Sequence, residues 1–477
     1  MKELQNGSDI RGISLGKDAN LTMTEAEKIG KGFLIWLSEK TGKDPTDIYI
    51  AIGRDPRITG TELTIGLFEG LVDYGAHVYN AGLASTPAMF MATQFEDTKT
   101  DGAIMITASH LPADRNGFKF FSKEGGLNKG DIKEILEHAE NDTPLPETHG
   151  SIEDFHIMNL YQEHLRNLII SGAGKGKKPL KGLKICVDAG NGSGGFYAQD
   201  ILEPLGADIS ASQFLDPNGD FPNHQPNPEN KEAMESISKR VVEENCDFGI
   251  IFDTDVDRSA AVSSDGRLIS RNGIVALAAC IAAQDYPGST VVTDSITSPE
   301  LTAFLEDDLG MKHFRYRRGY KNIINKALEL DDCALAAETS GHVAFKDNYF
   351  LDDGAYLATR IVIEAAKGSL PDSFIKDLAE PLEATELRLP LDSPDFQAAG
   401  DRILDDFKDW AAGEGITVVE PNYEGVRLDF GHGWCLLRKS LHEPLLPLNV
   451  ESNRDGGVDE ILKKVKGFLS DYKEVVL

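Results

Sequence analysis

Three aspartates stand at alternate positions in Asp253-Thr-Asp255-Val-Asp257-Arg258, directly after the apolar run 248–252. In an extended backbone, side chains two apart project to the same side, so the three carboxylates are expected to share one face. Carboxylates crowded in this way repel unless a hard cation neutralises them. An all-oxygen donor set points to Mg²⁺. An EF-hand loop fails as the alternative, because its sixth position is Arg258 rather than glycine and its twelfth is Ser264 rather than glutamate. A solvated acidic loop sits badly with a buried strand that leads straight into it. Three carboxylates leave positions on the ion for a phosphoryl oxygen, and Arg258 alongside is suited to charge on a transferring phosphoryl group.

A second cluster is Thr107-Ala-Ser-His-Leu-Pro-Ala-Asp-Arg-Asn-Gly-Phe-Lys119. The apolar run 103–106 before it reads as a buried strand, and Pro112 with Asn116-Gly117 requires a loop. Ser109, just outside the carboxyl end of that strand, is placed to act as a nucleophile or to carry phosphate. Read alone, it would only cap a turn. His110 lies beside it and Lys119 ten residues on. Joined to the aspartates, Ser109 gives a phosphoserine whose phosphate meets Mg²⁺, with Lys119 or His342 moving the proton of the reacting hydroxyl. Two further loops fit a sugar phosphate. Glu338 and Ser340, two apart, would point the same way in an extended loop and suit vicinal hydroxyls. Arg438 and Ser440 offer a donor fork and a hydroxyl for a phosphate that is not transferred.

The elements that must position these loops alternate along the chain. Helices are expected near 24–40, 61–74 and 87–94, with strands at 48–52, 77–80 and 103–106, a βαβα pattern implying a mostly parallel sheet. The Gly- and Lys-rich stretch 171–179 reads as a linker. Strand 184–188 then leads into Gly190-Asn-Gly-Ser-Gly-Gly195, which satisfies G-x-G-x-x-G but lacks the acidic residue a dinucleotide site needs, so it reads as a tight turn. A Pro/Asn-rich loop covers 216–230 and strand 248–252 ends at the aspartates. Strands 290–293, 314–316 and 334–337 follow, with the loop Arg317-Arg318-Gly-Tyr-Lys321 among them. Beyond 381 the alternation 387/389, a helix near 395–411, apolar 426–430 and 434–436, and a last helix near 458–472 indicate an antiparallel sheet with helices on one side.

Size and charge set bounds. The chain of 477 residues is too long for one core. A net charge of −30 argues against nucleic acid or an anionic membrane as partner. It also requires the cations that meet a phosphorylated substrate to be gathered locally. The longest apolar run, 274–283, is too short to span a bilayer. Five scattered cysteines match neither a disulfide framework nor a zinc site, and the N-terminus has no signal core, so a cytoplasmic, reducing setting is expected.

These clusters, in this order and over essentially the whole chain, resemble the α-D-phosphohexomutase superfamily. Thr107-Ala-Ser-His-Leu-Pro resembles its phosphoserine loop, Asp253-x-Asp-x-Asp-Arg its metal loop, Glu338-x-Ser-Gly-His342 its sugar loop and Arg438-x-Ser its phosphate loop. Asp9-Ile-Arg11-Gly, Gly53-Arg54-Asp-Pro-Arg57 and Gly117-Phe-Lys119 match as well. The resemblance implies three similar α/β mixed-sheet domains and a smaller C-terminal α+β domain around a central cleft, with boundaries at residues 1–178, 179–287, 288–382 and 383–477. It implies Mg²⁺ on Asp253, Asp255, Asp257 and Ser109, and chemistry by Ser109, Lys119, Arg11, His342, Arg258 and His110. Substrate contacts are expected from Glu338, Ser340, Arg318, Lys321, Arg438, Ser440 and Arg54.

The implied reaction interconverts hexose 1- and 6-phosphates, with glucose as the first sugar and mannose as a second, and glucose 1,6-bisphosphate as intermediate and activator. Monomer and homodimer are both left open. One loop departs from the family, reading Arg438-Lys-Ser-Leu-His-Glu-Pro444 where Arg-x-Ser-Asn-Thr is usual. That departure motivates a close variant, a glucose 1,6-bisphosphate synthase fed by another sugar bisphosphate. A rival of another class is a sugar-phosphate-binding protein without catalysis.

Overall fold

The computed structural model describes residues 1–98, 100–440 and 443–477. It divides into two compact units, one of residues 1–281 and 340–375, the other of residues 282–339 and 376–477.

The first unit holds two sheets. In the larger, the strands run in the order Gln5–Asn6, Asp9–Ile13, Arg115–Ser122, Gly102–Ile106, Tyr49–Arg54, His77–Leu83, Ser151–Asp154. Its four strands from Gly102–Ile106 to Ser151–Asp154 are parallel, but Arg115–Ser122 and Asp9–Ile13 run antiparallel. The sheet is therefore mixed rather than mostly parallel. The reversal follows from the Ser109 loop, which returns the chain directly alongside the strand it left instead of crossing over through a helix. Gly102–Ile106 is buried along its whole length, as a central strand covered on both faces must be. Helix Met23–Thr41 packs against Gly60–Val72 and Lys129–Glu140, with Phe33, Ile50, Leu67, Ile104 and Phe118 in one core. The second sheet has the order Leu268–Ile269, Ser259–Ser263, Phe248–Phe252, Ile185–Asp188. The expected linker at 171–179 begins inside a helix, Ile157–Ala173, which ends at the left-handed Gly174.

In the second unit, Thr290–Thr293 lies between Lys312–Arg315 and Cys333–Ala337, all parallel. The C-terminal sheet is antiparallel, ordered Glu383–Pro390, Leu445–Ser452, Gly433–Leu437, Val426–Asp429, Thr417–Val418. Helices Phe396–Gly413 and Gly457–Leu469 supply Ile403, Phe407, Ile461 and Val465 to its core. Among the described residues no helix is long and apolar enough to cross a membrane.

Candidate active site

Register brings Lys119 to the serine. Met105 pairs with Lys119 across the antiparallel strands, so its side chain starts beside the end of Gly102–Ile106. Ser109 is buried and held in the left-handed region, at φ 50°. Its N–H donates to Thr107 Oγ1 at 2.8 Å. The loop's carbonyls are fixed by two cations, the buried Arg57 and the half-buried Arg11. Arg57 donates to the carbonyls of Ser109 (2.5 Å), Leu111 (2.6 Å), Pro112 (2.6 Å) and Arg115 (3.0 Å), and its Nε lies 3.2 Å from Asp55. Arg11 donates to the Thr107 carbonyl and is paired with Asp9 at 2.8 Å. Arg11 thus holds the loop's backbone. Arg54, another expected substrate contact, donates weakly to the Asp55 carbonyl at 3.5 Å.

The aspartates do converge, but not on an extended strand. The chain turns after Phe252 and Val256 is left-handed at φ 69°, so alternation is not what gathers the carboxylates. The turn folds back instead: the Arg258 N–H donates to Asp253 Oδ1 at 3.2 Å. One carboxylate oxygen from each of Asp253, Asp255 and Asp257 lies within 4.8 Å of the others, and all three residues are buried. The turn is walled by main chain. A β-carbon on Gly192 would come within 2.7 Å of the Thr254 carbonyl, and one on Gly354 within 2.5 Å of the Arg258 carbonyl. Thr86 ties the turn to the first sheet, its hydroxyl donating to Asp255 Oδ2 and its N–H to the Asp255 carbonyl.

Serine and aspartates meet. Ser109 Oγ donates to Asp253 Oδ2 at 3.3 Å and accepts from Arg258 Nη2 at 2.7 Å. Arg258 Nη2 also donates to His110 Nδ1. Lys119 Nζ lies 3.3 Å from Asp255 and is ion-paired with Asp257. His342 Nε2 is 3.7 Å from Asp257. Arg258, then burial, drives the His110 pKa down to about 2, so His110 acts as a neutral acceptor. Burial works against charge on Asp257, but Lys119 and His342 outweigh it and hold its carboxyl well below the usual range. Burial with the neighbouring Asp257 and Asp255 pushes Asp253 up. Asp255 Oδ1 and Asp257 Oδ1 are buried without a hydrogen bond among the described residues. An all-oxygen cluster with two orphaned carboxylate oxygens beside a serine hydroxyl fits a hard divalent cation.

Ser340 serves His342, their Oγ and Nδ1 3.0 Å apart. The second unit holds the remaining expected residues. Glu338 is buried and accepts the Gly319 N–H at 2.7 Å, which couples it to the Arg318 loop. Lys321 stands in the first turn of helix Tyr320–Glu329. Arg438 lies 3.9 Å from Glu424, and its Nε is buried without a hydrogen bond among the described residues. Burial, opposed by Glu424 and reinforced by the nearby Arg318 cation, lowers the Arg438 pKa. Ser440 Oγ accepts from the Glu443 N–H at 3.2 Å. Of the divergent 438–444 loop, Leu441 and His442 lie outside the described residues.

Sequence reasoning gave no role to Arg57, Thr86, Asp294 or Glu424. Asp294 is buried and accepts from both the N–H (3.3 Å) and the hydroxyl (2.8 Å) of Thr339. Glu424 accepts from the Ser295 hydroxyl and from the Arg318 N–H at 3.0 Å. Arg57 was visible inside a quoted motif, whereas the other three carried no signal.

Comparison with known proteins bears on the whole chain. Family models described as phosphoglucomutase/phosphomannomutase alpha/beta/alpha domains I, II and III match residues 2–145, 159–266 and 270–382. A phosphoglucomutase of Neisseria gonorrhoeae is 30% identical over 477 residues, covering 100% of this chain and 98% of that one. A phosphomannomutase/phosphoglucomutase of Pseudomonas aeruginosa is 31% identical over 419 residues, 86% of this chain and 85% of its own. The crystal structure of a phosphoglucomutase/phosphomannomutase family protein from Burkholderia thailandensis superposes with a TM-score of 0.84 at 27% identity, covering 99% of this chain and 98% of that one.

Proposed function

The chain belongs to the α-D-phosphohexomutase superfamily, phosphotransferase isomerases of hexose phosphates, and on that premise we propose a specific reaction for it. It interconverts the 1- and 6-phosphates of glucose, and of mannose as a second substrate, through phosphoserine at Ser109 and a bound sugar 1,6-bisphosphate. One observation carries the reading: Ser109 Oγ lies 2.7 Å from the Arg258 guanidinium and 3.3 Å from Asp253 in a buried carboxylate cluster.

Asp253, Asp255 and Asp257, with an oxygen on Ser109, would hold Mg²⁺, which supplies charge neutralisation at the phosphoryl group. The chain's own groups do the rest. The phosphoryl group leaves Ser109 Oγ as that P–O bond breaks and a new P–O bond forms to the free sugar hydroxyl. Lys119 or His342, each a cation beside Asp257, gives a proton to the departing Ser109 Oγ and is reprotonated by the sugar hydroxyl. Arg258, already donating to Oγ, stabilises the serine oxyanion as it departs. After the bisphosphate reorients, its other phosphate returns to Ser109 by the reverse step. Glu338 accepts from sugar hydroxyls, while Arg318, Lys321, Arg438 and Ser440 take the phosphate that is not transferred.

Phosphorus NMR of the protein with Mg²⁺ and glucose 1-phosphate, with and without catalytic glucose 1,6-bisphosphate, tests this. Glucose 6-phosphate appearing with only catalytic bisphosphate is expected. Stoichiometric release of the bisphosphate at the expense of an added donor would make the protein the synthase and point to the 438–444 loop. Calorimetric binding of hexose phosphate without turnover would leave a binding protein.

A further inference from the structure

The Pro/Asn-rich segment 216–230 has no task in this scheme, yet it reaches the reactive serine. Its start is fixed on the Gly190–Gly195 turn: the Asn218 N–H donates to the Asn191 carbonyl and Asn191 Nδ2 to the Asp216 carbonyl, each at 2.8 Å. Its middle is pinned by His224, a buried ring whose Nε2 lies 3.0 and 3.1 Å from the two oxygens of Asp188. His224 Nδ1 lies 3.1 Å from the Gln225 carbonyl. Both ring nitrogens face acceptors, so the form that satisfies both is the imidazolium. Burial opposes that charge, but Asp188 outweighs it, with Glu232 adding to the pull, and the His224 pKa is raised. One residue on, Gln225 Nε2 donates to the His110 carbonyl. Glu229 lies 3.7 Å from Arg258 Nη1.

The origin of these contacts matters. The carbonyls of Thr107, Ser109, Leu111, Pro112 and Arg115 are held by Arg11, on strand Asp9–Ile13 of the serine's own sheet, and by Arg57, in the loop after its strand Tyr49–Arg54. The His110 carbonyl is held from elsewhere. Gln225 follows Ile185–Asp188, in the sheet whose strand Phe248–Phe252 delivers the aspartates and Arg258. A main-chain tether therefore joins the serine loop to the sheet that carries its reaction partners. We infer that Gln225 is a positioning residue: it sets the Ser109 hydroxyl against Arg258 and the aspartates, and His224 on Asp188 holds Gln225 in place. The inference rests on Ser109 being the phosphate carrier proposed above.

Rapid-quench measurement of phosphoryl transfer from labelled glucose 1,6-bisphosphate to the full chain with Mg²⁺ tests it. In Gln225→Ala the transfer rate is expected to fall about tenfold, since small misplacements of reacting groups are costly. The final phosphoserine stoichiometry and the KM for bisphosphate should stay within about twofold of the parent's, because no substrate contact is removed. Gln225 is exposed, so its variants leave the fold intact. Gln225→Glu keeps the shape but loses the donor, and should be as slow as the alanine variant. Deprotonation of His224 sets a lone pair against the Gln225 carbonyl or surrenders Asp188. The ratio of parent to Gln225→Ala rates should therefore shrink as pH rises from roughly 6 to 9. A Gln225→Ala rate equal to the parent's would overturn the inference alone, and a ratio flat with pH would remove His224 from it. No label on the parent protein would defeat the phosphoserine reading first, and this inference with it.

Discussion

The two units of the molecule treat charge in opposite ways. Around Ser109, cations and anions are interlocked: Arg57 with Asp55, Arg11 with Asp9, Lys119 with Asp255 and Asp257, Arg258 with Asp253. Such interlocking is the kind of arrangement that electrostatic preorganisation calls for. In the second unit one carboxylate, Glu424, collects the Ser295 hydroxyl, the Arg318 N–H and the edge of Arg438. Those are donors a phosphate would also take. On the function proposed above, the groups assigned to reaction are fixed by partners in the first unit, while those assigned to recognition in the second gather on one anion. This also answers the net charge of −30: the field that would repel a phosphosugar is offset where cations are concentrated.

The sharpest break in this contrast is Ser109→Ala. Turnover should fall by roughly 10⁴-fold or more, with hexose-phosphate affinity by calorimetry almost unmoved. Retained turnover would remove the fixed reaction centre altogether. Next is Arg57→Ala, which strips four carbonyls of their donor and leaves the buried Asp55 uncompensated. Urea denaturation should show a loss of about 3–5 kcal/mol, and a loss below about 1 would mean that the loop is not held as described. Glu424→Gln acts on the other unit and should lower KM for hexose phosphate about threefold to tenfold at unchanged kcat, because a competing charge is gone. A raised KM would instead make Glu424 a strut.

The smallest effect concerns Asp294, whose pKa is raised from 3.8 to about 7 by burial and then by Glu338. A carboxyl raised in the folded state binds its proton more tightly there than in the unfolded chain. Its contribution to stability is therefore complete below about pH 4 and fades as pH rises toward 7. Asp294→Asn should flatten the urea midpoint across that window, and an unchanged slope would assign the pH dependence to other groups.

Much of this was legible in residue order. Strand Phe248–Phe252 stands where its apolar run set it, and the polar cluster after each of three buried strands marked where side chains would gather. The aspartates were found for an incomplete reason. Alternation suggested an extended strand, but a left-handed Val256 and a back-bonded Arg258 bring the carboxylates together. Strand Leu445–Ser452 was not foreseen, since Pro447 argues against a central strand. The Gly433–Leu437 partner ends opposite Leu448, one residue short of the proline. Thr86, Glu424 and Gln225 were out of reach for another reason. Each is an ordinary polar residue whose meaning comes from a partner more than a hundred positions away.

Gly192 and Gly354 carry no functional group, yet each faces a carbonyl of the aspartate turn at a distance no β-carbon tolerates. In a complete map of tolerated substitutions, scored by growth or by turnover, these two positions would stand as blank as Asp253, Asp255 and Asp257. The empty space beside the turn is as much a part of its build as its charge.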